Sequence, residues 1–155
     1  MEKEKKSNGN YITGIIGALI GSVIATLPWI LCYVYANMMW SILAVFIAAG
    51  AYKGYELLKG KIDNKVPVII VIVSVVAITI ATLVIIPNLL IIKDYGSFSM
   101  DLFKKLYEVD EFKKAILGDY AFSLLFTFLG ISGVVGRIKA GIAMGETKIS
   151  LFKRK

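Results

Sequence analysis

Long uncharged apolar runs decide what this chain can fold into. The first extends from Tyr11 to about Ala36 without one charged residue. An isolated helix needs about 20 apolar residues to cross the roughly 30 Å hydrocarbon core of a bilayer, so this run is long enough to span. A second run, about 38–58, ends among Lys53, Glu56 and Lys59. A third, about 67–92, is dominated by Val and Ile. It is too long for a strand, and lipid admits only helices or closed barrels because every backbone polar group must be satisfied internally. A fourth, about 118–136, sits at the short limit for crossing. The turn at Asn37 is too short to form a domain, so the first two runs form a helical hairpin. The fold class expected is an all-α membrane protein, a bundle of four transmembrane helices in one domain covering 1–155.

Composition agrees. The chain of 155 residues is 57% hydrophobic, whereas soluble domains are about 45–50% apolar. The net charge of +7 comes from Lys and Arg clustered beside apolar runs. That is the pattern of the positive-inside rule and not of a nucleic-acid-binding face. One cysteine, Cys32, permits no internal disulfide, and the chain has no histidine. The usual zinc ligand and the usual proton shuttle are therefore missing. Met1–Lys6 resembles the basic start of a signal peptide, but the apolar stretch that follows, about 25 residues, exceeds the usual 7–15, roughly. It reads as a retained span.

Orientation follows from the basic residues. The N-terminal tail, the loop after the second span and the segment 137–155 together hold thirteen Lys and Arg, against five in Lys93–Lys114. Both termini are therefore expected in the cytoplasm of a cell carrying this protein in its plasma membrane. The outer segment 99–117 places Leu102, Phe103, Leu106, Val109, Phe112 and Ile116 at helical spacing. It predicts one extracytoplasmic amphipathic helix, with Ser99 as N-cap, lying on the membrane or capping the bundle. The basic tail 137–155 ends Lys153-Arg154-Lys155, suited to anionic lipid or simply to the cytoplasmic side.

Small residues form the clearest motif. Gly14, Gly17, Gly21 and Ala25 form a small-residue seam, in which Gly17, Gly21 and Ala25 recur every four residues and share one face of the first span. Small residues let helix backbones approach closely in lipid. Gly50 and Gly54 offer a matching surface on the second span, and Gly130, Gly133 and Gly136 another on the fourth. Such seams pack a bundle internally, join copies of a protein, or line a narrow pore. Three neighbouring spans compete for the first of them, which favours internal packing. Pro28 and Pro87 are expected to kink their helices, because each removes a backbone hydrogen bond; Asn88 is placed to compensate a freed carbonyl. The serines within the runs have no histidine to activate them, and the threonines at 13, 26, 79 and 82 are expected to bond to their own helix carbonyls.

Charge inside a membrane is a functional sign. No acid or base falls near any expected midplane. Glu56 lies at the inner boundary between Lys53 and Lys59, an ordinary surface ion pair. Asp119 lies at the outer mouth of the fourth span. No catalytic, metal-binding or cofactor-binding residue is proposed, and no H-E-x-x-H, G-x-S-x-G or phosphate-loop motif occurs.

The sequence Gly14-Ile-Ile-Gly17-Ala18-Leu-Ile-Gly21, then Pro28-Trp29, then Ala51-Tyr-Lys-Gly54-Tyr55-Glu-Leu-Leu-Lys-Gly60 resembles a group of small, uncharacterised four-span proteins of low-GC Gram-positive bacteria. The resemblance covers the first two spans, implies the four-span layout and implies no catalytic residue. The function expected is that of a non-enzymatic membrane subunit, an accessory or scaffold acting by helix packing in the bilayer with copies of itself or a larger membrane protein. A small oligomeric channel or facilitator is the alternative, and an immunity or membrane-stress protein the third.

Overall fold

A computed structural model describes residues 9–36 and 41–145. The turn at Asn37, Trp40, the N-terminal lysines and the end of the basic tail lie outside them. Helix α1 is Tyr11–Ala36; a 3₁₀ turn, Ser41–Ala44, leads into α2, Val45–Leu57. Helix α3, Val66–Ile80, passes through a π turn, Ala81–Ile85, into α4, Ile86–Tyr95. A short α5, Met100–Glu108, precedes the long α6, Asp110–Ala143. Among the described residues there is no strand, and the fold is all-helical.

Three helical stretches are long and apolar enough to cross a membrane: Tyr11–Ala36, Val66–Tyr95 and Asp110–Ala143. The outward side of each is apolar. On α1, Ile16, Ile20, Ile24, Leu27 and Leu31 are exposed, and on α3 the exposed residues Val68, Ile72, Val76 and Ile80 recur every four positions. Phe122, Leu125, Phe128 and Leu129 are likewise exposed along one side of α6. A water-exposed surface of this kind would aggregate, and lipid is its natural solvent.

The second helix is shorter. The 3₁₀ turn and α2 together make 17 residues (4 and 13). The tighter, longer-rising 3₁₀ turn brings their combined length to about 27 Å. Helix α2 packs along α1 and against α6, while α3 touches α1, α2 and α6. Two cores result. Ala48, Ala51, Tyr52, Tyr55, Ile70 and Ile138 lie in the cluster toward the α2–α3 loop. Trp29, Ile30, Ile47, Ile78, Ala81 and Ile116 lie in the cluster toward the other end.

The segment expected as one helix over 99–117 is divided. Val109 adopts φ −76°, ψ 115°, an extended conformation that ends α5. From Asp110 the chain continues as a single helix of 34 residues through 118–136 to Ala143. Ser99 holds the extended N-cap conformation without a side-chain cap bond. Gly96, in the left-handed region at φ 78°, closes α4 and turns the chain toward α5.

The two prolines behave differently. Helix α1 runs unbroken through Pro28. Pro87 stands just after the π turn, in which the Ile86 N–H bonds to the Ala81 carbonyl. A proline at 87 cannot donate to the carbonyl of Leu83, four residues back. The Tyr107 hydroxyl of α5 donates to that oxygen instead, at 2.6 Å. Asn88 Nδ2 donates to the neighbouring Val84 carbonyl at 2.6 Å. The distortion at Pro87 is thus local and supplied with donors from outside the backbone.

Candidate functional site

The glycine seam brings α1 and α2 together backbone to backbone. A Cβ added at Gly17 would lie 2.1 Å from the Gly54 carbonyl oxygen, and one at Gly54 only 1.9 Å from the Gly17 oxygen. One at Gly21 would meet the Gly50 oxygen at 2.1 Å, and one at Gly50 would lie 2.5 Å from the Cβ of Ala25. Gly14 sits beneath the Tyr55 ring. At such separation Cα–H groups face carbonyl oxygens, the weak contacts that hold helices in lipid. Gly130 makes the same approach on α6, where a Cβ would lie 2.1 Å from the Val45 oxygen.

Gly133 and Gly136 do not. Among the described residues nothing approaches their Cβ positions within 4 Å, and Ser132, Gly133, Gly136 and Ala140 are all exposed. Beside them runs an open groove of about 270 Å³ between α2 and α6, lined by Val45, Phe46, Ala49, Leu129, Gly133 and Arg137. A second shallow groove, about 330 Å³, follows the α1–α2 seam between Ile20, Ile24 and Leu57.

At the end of the bundle carrying the α2–α3 loop, polar groups tie the loop to α1. The Tyr11 hydroxyl donates to the Asp63 carboxylate. The ammonium groups of Lys61 and Lys65 stand 5.4 and 5.7 Å from the Tyr11 ring centre, within cation–π reach. The Tyr55 hydroxyl donates to the Lys61 carbonyl at 2.7 Å, and Asp63 also accepts the Lys65 N–H at 2.9 Å. Partial burial pushes the Asp63 carboxyl up, but the Tyr11 hydroxyl, the Lys65 N–H and the two lysine charges outweigh it and hold it below its usual value. Glu56 pairs with Lys53 at 3.6 Å on the α2 surface.

The opposite end has its own ties. Asp119 accepts the Tyr33 hydroxyl, and Lys93 Nζ donates to the Val34 carbonyl at 2.7 Å. Phe103, Tyr107 and Phe112 pack in series, the first pair tilted and the second edge-to-face, with ring centres 5.1 and 5.6 Å apart. Burial raises the Tyr107 hydroxyl above its ordinary pKa, so it remains a donor to Leu83.

Below this end the bundle interior is polar. Ser22, Thr26, Ser74, Thr82, Ser123 and Thr127 are buried. Ser22, Thr26 and Thr79 bond back to carbonyls of their own helices, and Thr79 also meets the Tyr120 hydroxyl at 2.9 Å. Thr82 does not, contrary to expectation. Its hydroxyl, those of Ser74, Ser123 and Thr127, and the Trp29 indole N–H have no hydrogen-bond partner among the described residues. The sequence reading overlooked this interior, although Ser22/Thr26 and Ser123/Thr127 each stand four residues apart, which places each pair on one helix face. No group of His, Cys, Asp or Glu among the described residues could hold a metal ion.

No protein family, curated protein or solved structure matches the chain.

Proposed function

We propose that this chain is a four-span protein of the plasma membrane with both termini in the cytoplasm, acting without chemistry of its own as an accessory or scaffold subunit. Helix α2 with its 3₁₀ lead-in is the second crossing, close to the thickness of the hydrocarbon core. Helix α5 and the first turns of α6 are the extracytoplasmic amphipathic segment, with Phe103, Leu106 and Phe112 turned toward the bundle and charged residues outward.

One observation carries the interaction reading. Gly17, Gly21, Gly50, Gly54 and Gly130 are consumed in close helix–helix contact inside the chain and Gly14 lies under Tyr55, whereas Gly133 and Gly136 stand open among the described residues. Ser132, Gly136 and Ala140 repeat a small residue every four positions on that same exposed face, the arrangement by which membrane helices approach one another. A helix of a second copy or of a larger membrane protein fits there beside the α2–α6 groove.

The test is the mass and composition of the protein purified from its native membrane into lipid nanodiscs. A defined complex, dissociated by Gly136→Leu with helix content unchanged, is expected. A monomer that alone turns over or transports a substrate would refute the reading.

A further inference from the structure

The groove along the outer side of the α1–α2 seam exists because the residues at its floor have no side chains. Gly17 meets Gly54 and Gly21 meets Gly50 backbone to backbone. The trough above them is walled by Ile20 and Ile24 of α1 and by Lys53 and Leu57 of α2. From Gly17 to Ala25 it follows α1 for about 12 Å. Ile20, Ile24 and Leu57 are exposed, so the trough opens away from the bundle. With α2 as the second crossing, that side faces acyl chains. Lys53 is unexpected on such a surface, as the one charged residue among those lining the groove. It precedes Gly54, whose partner Gly17 stands about 9 Å inside the start of α1 at Tyr11. A lysine at that depth lays its stem along apolar surface and carries its charge toward the interface. Lys53 Nζ accordingly stands 3.6 Å from Oε2 of Glu56, one turn nearer the α2–α3 loop. That is an ion pair beyond hydrogen-bond distance, and an ammonium has three protons to donate. The Lys53 side chain is half-exposed and that of Glu56 mostly buried, so the open side of the pair is cationic. Lys59, exposed just after the groove residue Leu58, adds a second cation at the same end.

We propose that this groove binds one anionic phospholipid of the cytoplasmic leaflet, with an acyl chain in the trough between Ile20, Ile24 and Leu57 and the phosphate at Lys53. A protein helix is about 10–12 Å across with its side chains, too broad for a trough of about 330 Å³. An acyl chain is a single file of methylenes and fits. A zwitterionic headgroup brings a further cation to an end that is already cationic, whereas an anionic one does not. The site lies on α1 and α2, apart from the α6 face offered to a protein partner.

The full chain is placed in nanodiscs of equal parts phosphatidylglycerol and phosphatidylcholine with identical chains. Lipids retained on release into detergent are identified by native mass spectrometry. One phosphatidylglycerol per chain is expected to remain. Lys53→Met keeps the stem and loses the charge. It lowers the preference for phosphatidylglycerol about fivefold, the effect of roughly 1 kcal/mol for one basic residue near anionic lipid. Lys53→Arg keeps the preference, and so does Lys139→Met, which removes a charge from the same side of the membrane on α6. Equal retention of the two lipids, no loss in Lys53→Met, an equal loss in Lys139→Met, or displacement by free glycerol phosphate overturns the site. The inference rests on α2 crossing the membrane, which Ser41→Cys and Asn64→Cys in a Cys32→Ser background test separately. Labelling of these two from opposite sides by an impermeant thiol reagent, with no phosphatidylglycerol retained, refutes the lipid site alone. Labelling of both from one side refutes the α2 crossing and the site together.

Discussion

Replacing Gly54 by alanine tests the α1–α2 seam directly. The new Cβ would lie 1.9 Å from the Gly17 carbonyl oxygen, against the 3.4 Å at which ordinary contact begins. The obstacle is backbone and not a side chain that can rotate away. The shortfall of about 1.5 Å is therefore met by moving α1 off α2. A gap of about 0.5–1 Å already forfeits a quarter to a half of the dispersion well, and the loss extends along Gly21, Gly50 and Ala25. Overpacking of this kind costs about 1–3 kcal/mol even after relaxation, and the helix propensity of alanine over glycine returns about 1 kcal/mol at most. Gly133→Ala is the matched control. Its Cβ meets nothing within 4 Å, so propensity alone acts and the variant is neutral or stabilised by up to about 1 kcal/mol. Because the propensity gain is common to both, unfolding of the variants in mixed micelles, followed by circular dichroism, should separate them by about 1–3 kcal/mol, Gly54→Ala the weaker. Equal stabilities, or a more stable Gly54→Ala, would mean that the seam is not the close contact described.

Tyr107→Phe removes the side-chain donor to the Leu83 carbonyl and leaves that carbonyl exposed to the loss created by Pro87. A destabilisation of about 1–2 kcal/mol is expected, and hydrogen exchange should quicken in the α5 segment first. Tyr11→Phe removes one of the groups holding the Asp63 carboxyl low. A depressed carboxyl contributes stability above its unfolded pKa, near 3.8, and loses it as pH falls through the lower folded value. The difference between wild type and Tyr11→Phe should therefore be full at neutral pH and shrink on acidification below about pH 4; a difference constant across that range refutes the pairing. For orientation, cysteines introduced at Asn64 and at Ser99 in a Cys32→Ser background should react with a membrane-impermeant thiol reagent from opposite sides, Ser99→Cys from outside intact cells. Labelling of both from one side would remove the Val66–Tyr95 crossing.

Much of this molecule is written in hydropathy. The apolar runs at Tyr11–Ala36 and from Val66 onward require helices because lipid offers no other partner for the backbone, and both appear at the expected places. The small residues at 14, 17, 21 and 25 declare a packing face by their spacing alone. Spacing does not name the partner of that face. Only the tertiary structure pairs Gly17 with Gly54 and Gly21 with Gly50, and only it leaves Gly133 and Gly136 open although they read like the others. Local rules also failed where a break is decided from outside. Val109 is an unremarkable position in an amphipathic repeat, yet the chain is extended there, and α5 is fastened by Tyr107 to a carbonyl 24 residues earlier. Pro87 announced a missing hydrogen bond, but the donor that replaces it comes from another helix. The buried hydroxyls follow the same division. Their four-residue spacing was legible in the sequence. That Thr26 bonds to its own helix while Thr82 and Thr127 are buried without a partner among the described residues was settled by the packing of the helices, because a hydroxyl's partner depends on neighbours that the linear chain does not specify.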